Sequence, residues 1–185
     1  MINSSLLKEF TDLLGHENVF TDKADLVTYS YDAAVLDPVV PAVVLRPANY
    51  ELVGKMVSLC NENSVPVTVR GAGTNLSGGT IPSANGVVLV TNALNNILEI
   101  NEEDMYAIVQ PGVITAKLAA AVEAKGLFYP PDPGSQAVST IGGNVAENAG
   151  GLRGLKYGVT KDYVMGLKFF DAYGNDVKTG SRTVK

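Results

Sequence analysis

Ten residues, Arg70-Gly-Ala-Gly-Thr-Asn-Leu-Ser-Gly-Gly79, stand out for the chemistry their spacing allows. Gly71, Gly73, Gly78 and Gly79 leave the backbone open to close approach, and glycine adopts positive φ freely. Successive N–H groups in such a turn form a concave anion site. The loop, with Ala72, Thr74, Asn75 and Ser77 between its glycines, is therefore suited to hold phosphate without a lysine. Arg70 ends the β-rich run at residues 65–70 and either adds positive charge or packs at the strand end. Neither familiar phosphate fingerprint is complete. The dinucleotide pattern meets Leu76 where its third glycine belongs, and the P-loop pattern meets Gly79 where its lysine belongs. The competing reading is a long glycine-rich hairpin loop with no ligand.

A second segment changes that balance. Tyr129-Pro-Pro-Asp-Pro-Gly-Ser135 leads into Ser139-Thr-Ile-Gly-Gly-Asn-Val-Ala-Glu-Asn-Ala-Gly-Gly151, again thinned of side chains at Gly142, Gly143, Gly150 and Gly151. Ser139 or Thr140 is placed to cap a short helix through Asn144, and such an N-terminus favours anions. Two glycine-rich segments in a chain of this size are hard to explain as turns alone. As a pair they resemble the FAD-binding domain of the vanillyl-alcohol oxidase and p-cresol methylhydroxylase (PCMH) type. The nearest look-alikes are the glycolate oxidase flavin subunit and the FAD-dependent D-lactate dehydrogenases. The resemblance runs from about Pro38 to the end.

The resemblance implies an α+β fold, two small α/β subdomains with FAD between them, over residues 38–185 behind a helical segment at 1–37. It assigns residues 71–75 to the pyrophosphate, with Asn75 and Ser77 as turn residues within hydrogen-bonding reach of the cofactor. Pro131, Asp132, Ser135, Thr140, Gly142, Gly143, Asn144, Gly150 and Gly151 would lie along the ribityl and flavin portion. Gly158 and Val164 would meet it through backbone. Members with covalent flavin often carry histidine where this chain has Thr74, so attachment is expected to be noncovalent. The family's substrate arginine, metal-binding histidines and catalytic histidine belong to a later substrate domain. This chain has one histidine, His16, so no catalytic residue and no metal ligand is assigned here, and Asp132 and Glu147 do not read as an acid–base pair.

The implied function is the FAD-binding portion of an oxidoreductase acting on a small D-2-hydroxy acid such as glycolate or D-lactate. Hydride would pass to flavin N5, and the chain alone would not turn over. A substrate domain and an electron-transfer subunit are the implied partners. Two alternatives stay open: a same-fold NADPH-dependent reductase of cell-wall precursor synthesis, and a non-catalytic flavin-binding module. The run from Asn144 to Gly158 matches the hydroxy-acid branch.

Composition narrows the remaining classes. The chain has 185 residues, 46% hydrophobic and 18% charged, with net charge −5. That fits one domain with a real core and lacks the basic stripe of a nucleic-acid binder. No apolar run reaches the roughly 20 residues of a membrane span, and residues 1–9 do not read as a signal peptide. The single cysteine, Cys60, allows no intrachain disulfide and points to the cytoplasm.

The elements that must position the two loops follow from periodicity and capping. Helices are expected at 3–14, capped by Asn3 or Ser4, at 22–28 after Thr21, at 49–63 capped by Asn49, and at 115–125 stopped by Gly126. A strand near 42–45, the helix after it and a strand at 67–70 predict a βαβ unit. Short strands at 87–90, 97–100 and 105–109 suggest a meander. Residues 152–158 read as irregular, and 164–179 as a hairpin turning at residues 173–175. The end at residues 182–185 shows no obvious stop to the architecture, which suggests a piece of a longer protein.

Overall fold

A computed structural model describes residues 2–182. The end at 183–185 lies outside the described residues. The valine-rich segments are short, those at 43–45 and 87–90 apolar on both sides, and they assemble into one four-stranded sheet. Its strands are β1 (Val19–Phe20), β2 (Val43–Leu45), β3 (Val67–Arg70) and β4 (Val87–Val90), in the order β1-β2-β4-β3. β2 and β3 each run parallel to β4, and β1 runs antiparallel to β2. Side chains alternate across a strand, so the sheet buries two faces. Val43, Leu45, Val87 and Leu89 pack with Leu6, Phe10, Leu14, Met56 and Cys60. Val44, Val88 and Val90 pack with Leu26, Phe20 and Tyr29.

The first face is covered by α1 (Ser4–Leu14) and α3 (Tyr50–Glu62). Both start as the capping residues foretell: Asn3 Oδ1 accepts from Leu6 N at 2.8 Å and Asn49 Oδ1 from Leu52 N at 3.0 Å. Cys60 sits inside this core, where burial pushes its thiol up to about 11, as a small hydrophobe. The short α2 (Lys23–Thr28) has Asp22, not Thr21, at its cap position, without a side-chain bond.

The expected meander does not form. β4 does not pair with β5 but inserts between β2 and β3, because four fully buried apolar residues need cover on both faces. β5 (Ile97–Asn101) and β6 (Tyr106–Val109) pair only with each other. They pack with α4 (Thr115–Glu123) and α5 (Ile141–Glu147) around Val113, Leu118, Val122 and Ile141. Residues 154–157, expected to be irregular, make one helical turn, α6 (Gly154–Tyr157), ended at Gly158. The predicted final hairpin is present as β7 (Gly166–Phe170) and β8 (Asp176–Gly180). It docks on α3, where Phe170 stacks on Tyr50 at 4.3 Å between centroids and Tyr50 Oη donates to Asp176 at 2.7 Å. The architecture is α+β, as expected. Among the described residues no helix is long and apolar enough to cross a membrane.

Candidate cofactor site

β3 ends by delivering the first glycine-rich loop at the edge of the sheet, and α5 carries the second against it. Between them lies a cleft of about 300 Å³, at the lower end of small-molecule sites. Gly71, Ala72, Gly73, Thr74, Asn75 and Gly79 line one wall. Ser135, Thr140, Gly142, Gly143 and Asn144 line the other. Gly71 brings the walls together, since a Cβ there would overlap the Thr140 hydroxyl.

The first loop carries the chemistry. Among the described residues, the backbone N–H groups of residues 72–78 donate to no protein acceptor. Buried or half-buried N–H groups are nearly always paired, so the half-buried, cleft-lining Gly73, Thr74 and Asn75 mark a place for an outside acceptor. Gly73 holds φ +69, which turns the run. The wall also offers the Thr74 hydroxyl, those of Thr80, Thr91 and Ser139 being engaged with Asn75, Arg70 O and Thr115, and among the described residues its one ionisable side chain is Glu147. An anion would therefore be held by neutral donors, as an anion nest does.

Arg70 does not reach into the cleft as a charge. It is 7% exposed and lies beneath the loop, donating to Tyr31 O at 2.6 Å and Thr80 Oγ1 at 3.4 Å. Burial lowers its pKa, and Asp32 opposes that shift. The N-terminus of α5 does not serve as the expected anion site either. Ile141 N donates to Val113 O at 2.8 Å, Gly142 N to Pro111 O at 2.8 Å, and Gly143 N to Thr140 Oγ1 at 3.3 Å. Its donors are already spent on holding the second wall, and α5 extends past Asn144 to Glu147.

Other predicted residues brace the walls. Asn75 gives both amide hydrogens to protein, to Asp32 at 2.6 Å and Ser77 at 3.1 Å. Ser77 Oγ donates to Glu147 at 2.9 Å and so ties the first loop to α5. Gly78 packs against Leu36. Asn144 is buried and donates to Thr115 Oγ1 at 2.7 Å. Buried Pro131 precedes Asp132, whose carboxylate accepts from Arg153 N at 3.1 Å and which packs on Gly151. Gly150 meets Val159, Gly158 meets Asp162, and Val164 follows that turn half-buried. Pro131, Asp132, Gly150, Gly151, Gly158 and Val164 lie outside the cleft wall. The pattern in the chain gave no sign of Pro111, Thr91 or Asp32, which enter through contacts distant in sequence.

A sequence model of an FAD binding domain matches residues 41–180. The chain belongs to that family. This FAD binding domain is 48% identical over 185 residues to glycolate oxidase subunit GlcD of Bacillus subtilis (strain 168), covering 100% of the chain and 39% of the relative. It is 35% identical over 184 residues to D-lactate dehydrogenase of Anaerostipes hadrus, covering 100% of the chain and 38% of the relative. The domain thus spans well under half the length of these proteins. In three dimensions it resembles substrate-bound p-cresol methylhydroxylase, with TM-score 0.83 and 24% identity over 95% of this chain and 35% of that one. The fold is that of the PCMH-type enzymes.

Proposed function

We propose that the chain holds FAD noncovalently in this cleft, as the flavin-carrying part of an oxidoreductase acting on a small D-2-hydroxy acid. The observation that carries the reading is the run of N–H groups at residues 72–75, which line the cleft opposite the second wall and, among the described residues, donate to no protein acceptor. These donors would hold the pyrophosphate. Gly71 would set the spacing of the walls, and Ser135, Thr140, Gly142 and Gly143 would flank the ribityl and ring portion. Asp132, Gly150, Gly151, Gly158 and Val164 would keep the loops around the ring in place. FAD, when bound, supplies the acceptor for the hydride leaving the hydroxyl-bearing carbon, and the protein supplies placement and electrostatics. Among the described residues no lysine, arginine or histidine lines the cleft, and its one carboxylate, Glu147, is held by Ser77, so we assign proton abstraction and substrate carboxylate binding to a separate substrate domain. The binding domain proper would occupy residues 38–185, behind the helical segment at 1–37. An electron-transfer subunit and a cytoplasmic location complete the proposal.

The ADP half should carry most of the affinity, because its pyrophosphate meets the loop. Displacement titrations followed by flavin fluorescence should show ADP competing with FAD and FMN competing poorly. FMN binding as tightly as FAD, with no competition from ADP, would remove residues 71–75 from the phosphate site.

Thr74 lines the cleft without a group able to bond the flavin ring. Acid precipitation of the FAD-loaded chain should leave the yellow colour in the supernatant. Colour retained in the pellet would show a covalent link.

A further inference from the structure

The glycine loop has almost no backbone bonding of its own, so something else must fix its shape. The segment from Tyr31 to Leu36 does this. It precedes the residues that match the family model, and it forms a strap whose ends close through Val39 N to Ser30 O at 2.9 Å. Asp32 is 6% exposed. One carboxylate oxygen accepts from Ala34 N at 2.8 Å and the other from Asn75 Nδ2 at 2.6 Å. Ala33 N donates to Asn75 O at 3.1 Å, and Thr80 Oγ1 donates to Asn75 Oδ1 at 3.0 Å. Tyr31 O receives the Arg70 guanidinium, and Leu36 covers Gly78.

We propose that Asp32 is a positioning residue for the phosphate-binding loop, acting through Asn75 to aim the N–H groups of residues 72–75 into the cleft. Buried charges contribute little net stability, and the use best attested for them is to specify one arrangement among several. A loop with four glycines has many arrangements of similar energy. Asn75 is held by its side chain at both ends and by its own carbonyl, so the donors on either side of it have fixed directions. The inference rests on the reading of the cleft as an FAD site.

The test compares the wild-type chain with Asp32→Ala and Asp32→Asn, each titrated with FAD and with ADP far below its unfolding midpoint. Hydrogen bonds to charged groups set the scale, so Asp32→Ala should weaken FAD and ADP alike by roughly 10- to 100-fold. Asp32→Asn keeps one acceptor oxygen and should fall between the two. A residue that only stabilised the fold would lower the unfolding midpoint and leave the folded protein's affinity unchanged, and that result overturns the proposal. A loss for FAD with none for ADP also overturns it, because the effect would then lie away from the phosphates. Should Asp32→Ala fail to fold, wild-type affinity in Asp32→Asn is enough to reject it. If the wild-type chain binds neither FAD nor ADP, the reading of the cleft fails and this inference fails with it.

Discussion

Gly73→Val is expected to reduce FAD binding by at least about 100-fold, beyond detection at concentrations that saturate the wild type. Gly73 lies at φ +69, where a β-branched residue is a genuine outlier. A Cβ there would also overlap the Arg70 guanidinium. That group cannot retreat cheaply, since it is buried and bonded to Tyr31 O. The loop must therefore lift, and the N–H groups around it lose their common focus. Strain of this kind costs about 1–3 kcal/mol, while the main sheet core lies in separate clusters. Circular dichroism should accordingly show a folded domain. Gly126→Ala is the matched control, with φ +74 and no atom within 4 Å of the new Cβ. It should lose stability without losing FAD. Equal FAD affinity in Gly73→Val and wild type would separate the loop's shape from binding.

Phe10→Ala should cost about 3–5 kcal/mol of folding stability, measured by urea denaturation. Phe10 is 0% exposed and shares one core with Val43, Leu45, Met56 and Leu89. The residue precedes the segment that matches the family model, yet it covers the face of the sheet that carries β3. The cavity it leaves is walled by strands already committed to backbone pairing, so it cannot close by relaxation. A loss under about 1 kcal/mol would mean that α1 is dispensable to the sheet.

The chain made its local structure easy to read and its distant contacts hard. Asn3, Asn49 and Thr140 announce helix starts because a cap is satisfied within three residues. Gly126 and the turn at residues 173–175 are equally local. β4 shows the opposite case. Its four apolar residues fit either a meander or a central parallel strand, and only the cover on both faces decides between them. The same holds in the site. The two glycine segments are legible as a pair, but the role of Arg70 is set by Tyr31, 39 residues away. The α5 N-terminus looks like an anion site until the carbonyls of Pro111 and Val113 arrive to use its donors. Nothing in the run Tyr29-Ser-Tyr-Asp-Ala-Ala-Val-Leu36 marks Asp32 as part of a site, and only its contact with Asn75 gives it meaning.

The strand order also has a consequence for how the chain is made. β2 and β3 leave the ribosome before β4, yet neither bonds to the other; β2 has only β1 beside it, and β3 has no partner until β4 arrives. Until residues 87–90 emerge, the βαβ unit has no shared ladder, and the loop at residues 71–79 hangs between a strand without a neighbour and one not yet synthesised. Non-local parallel pairing is slow to form. The nascent domain therefore has no cradle to offer a flavin, and FAD can be acquired only after the last strand of the sheet has been inserted.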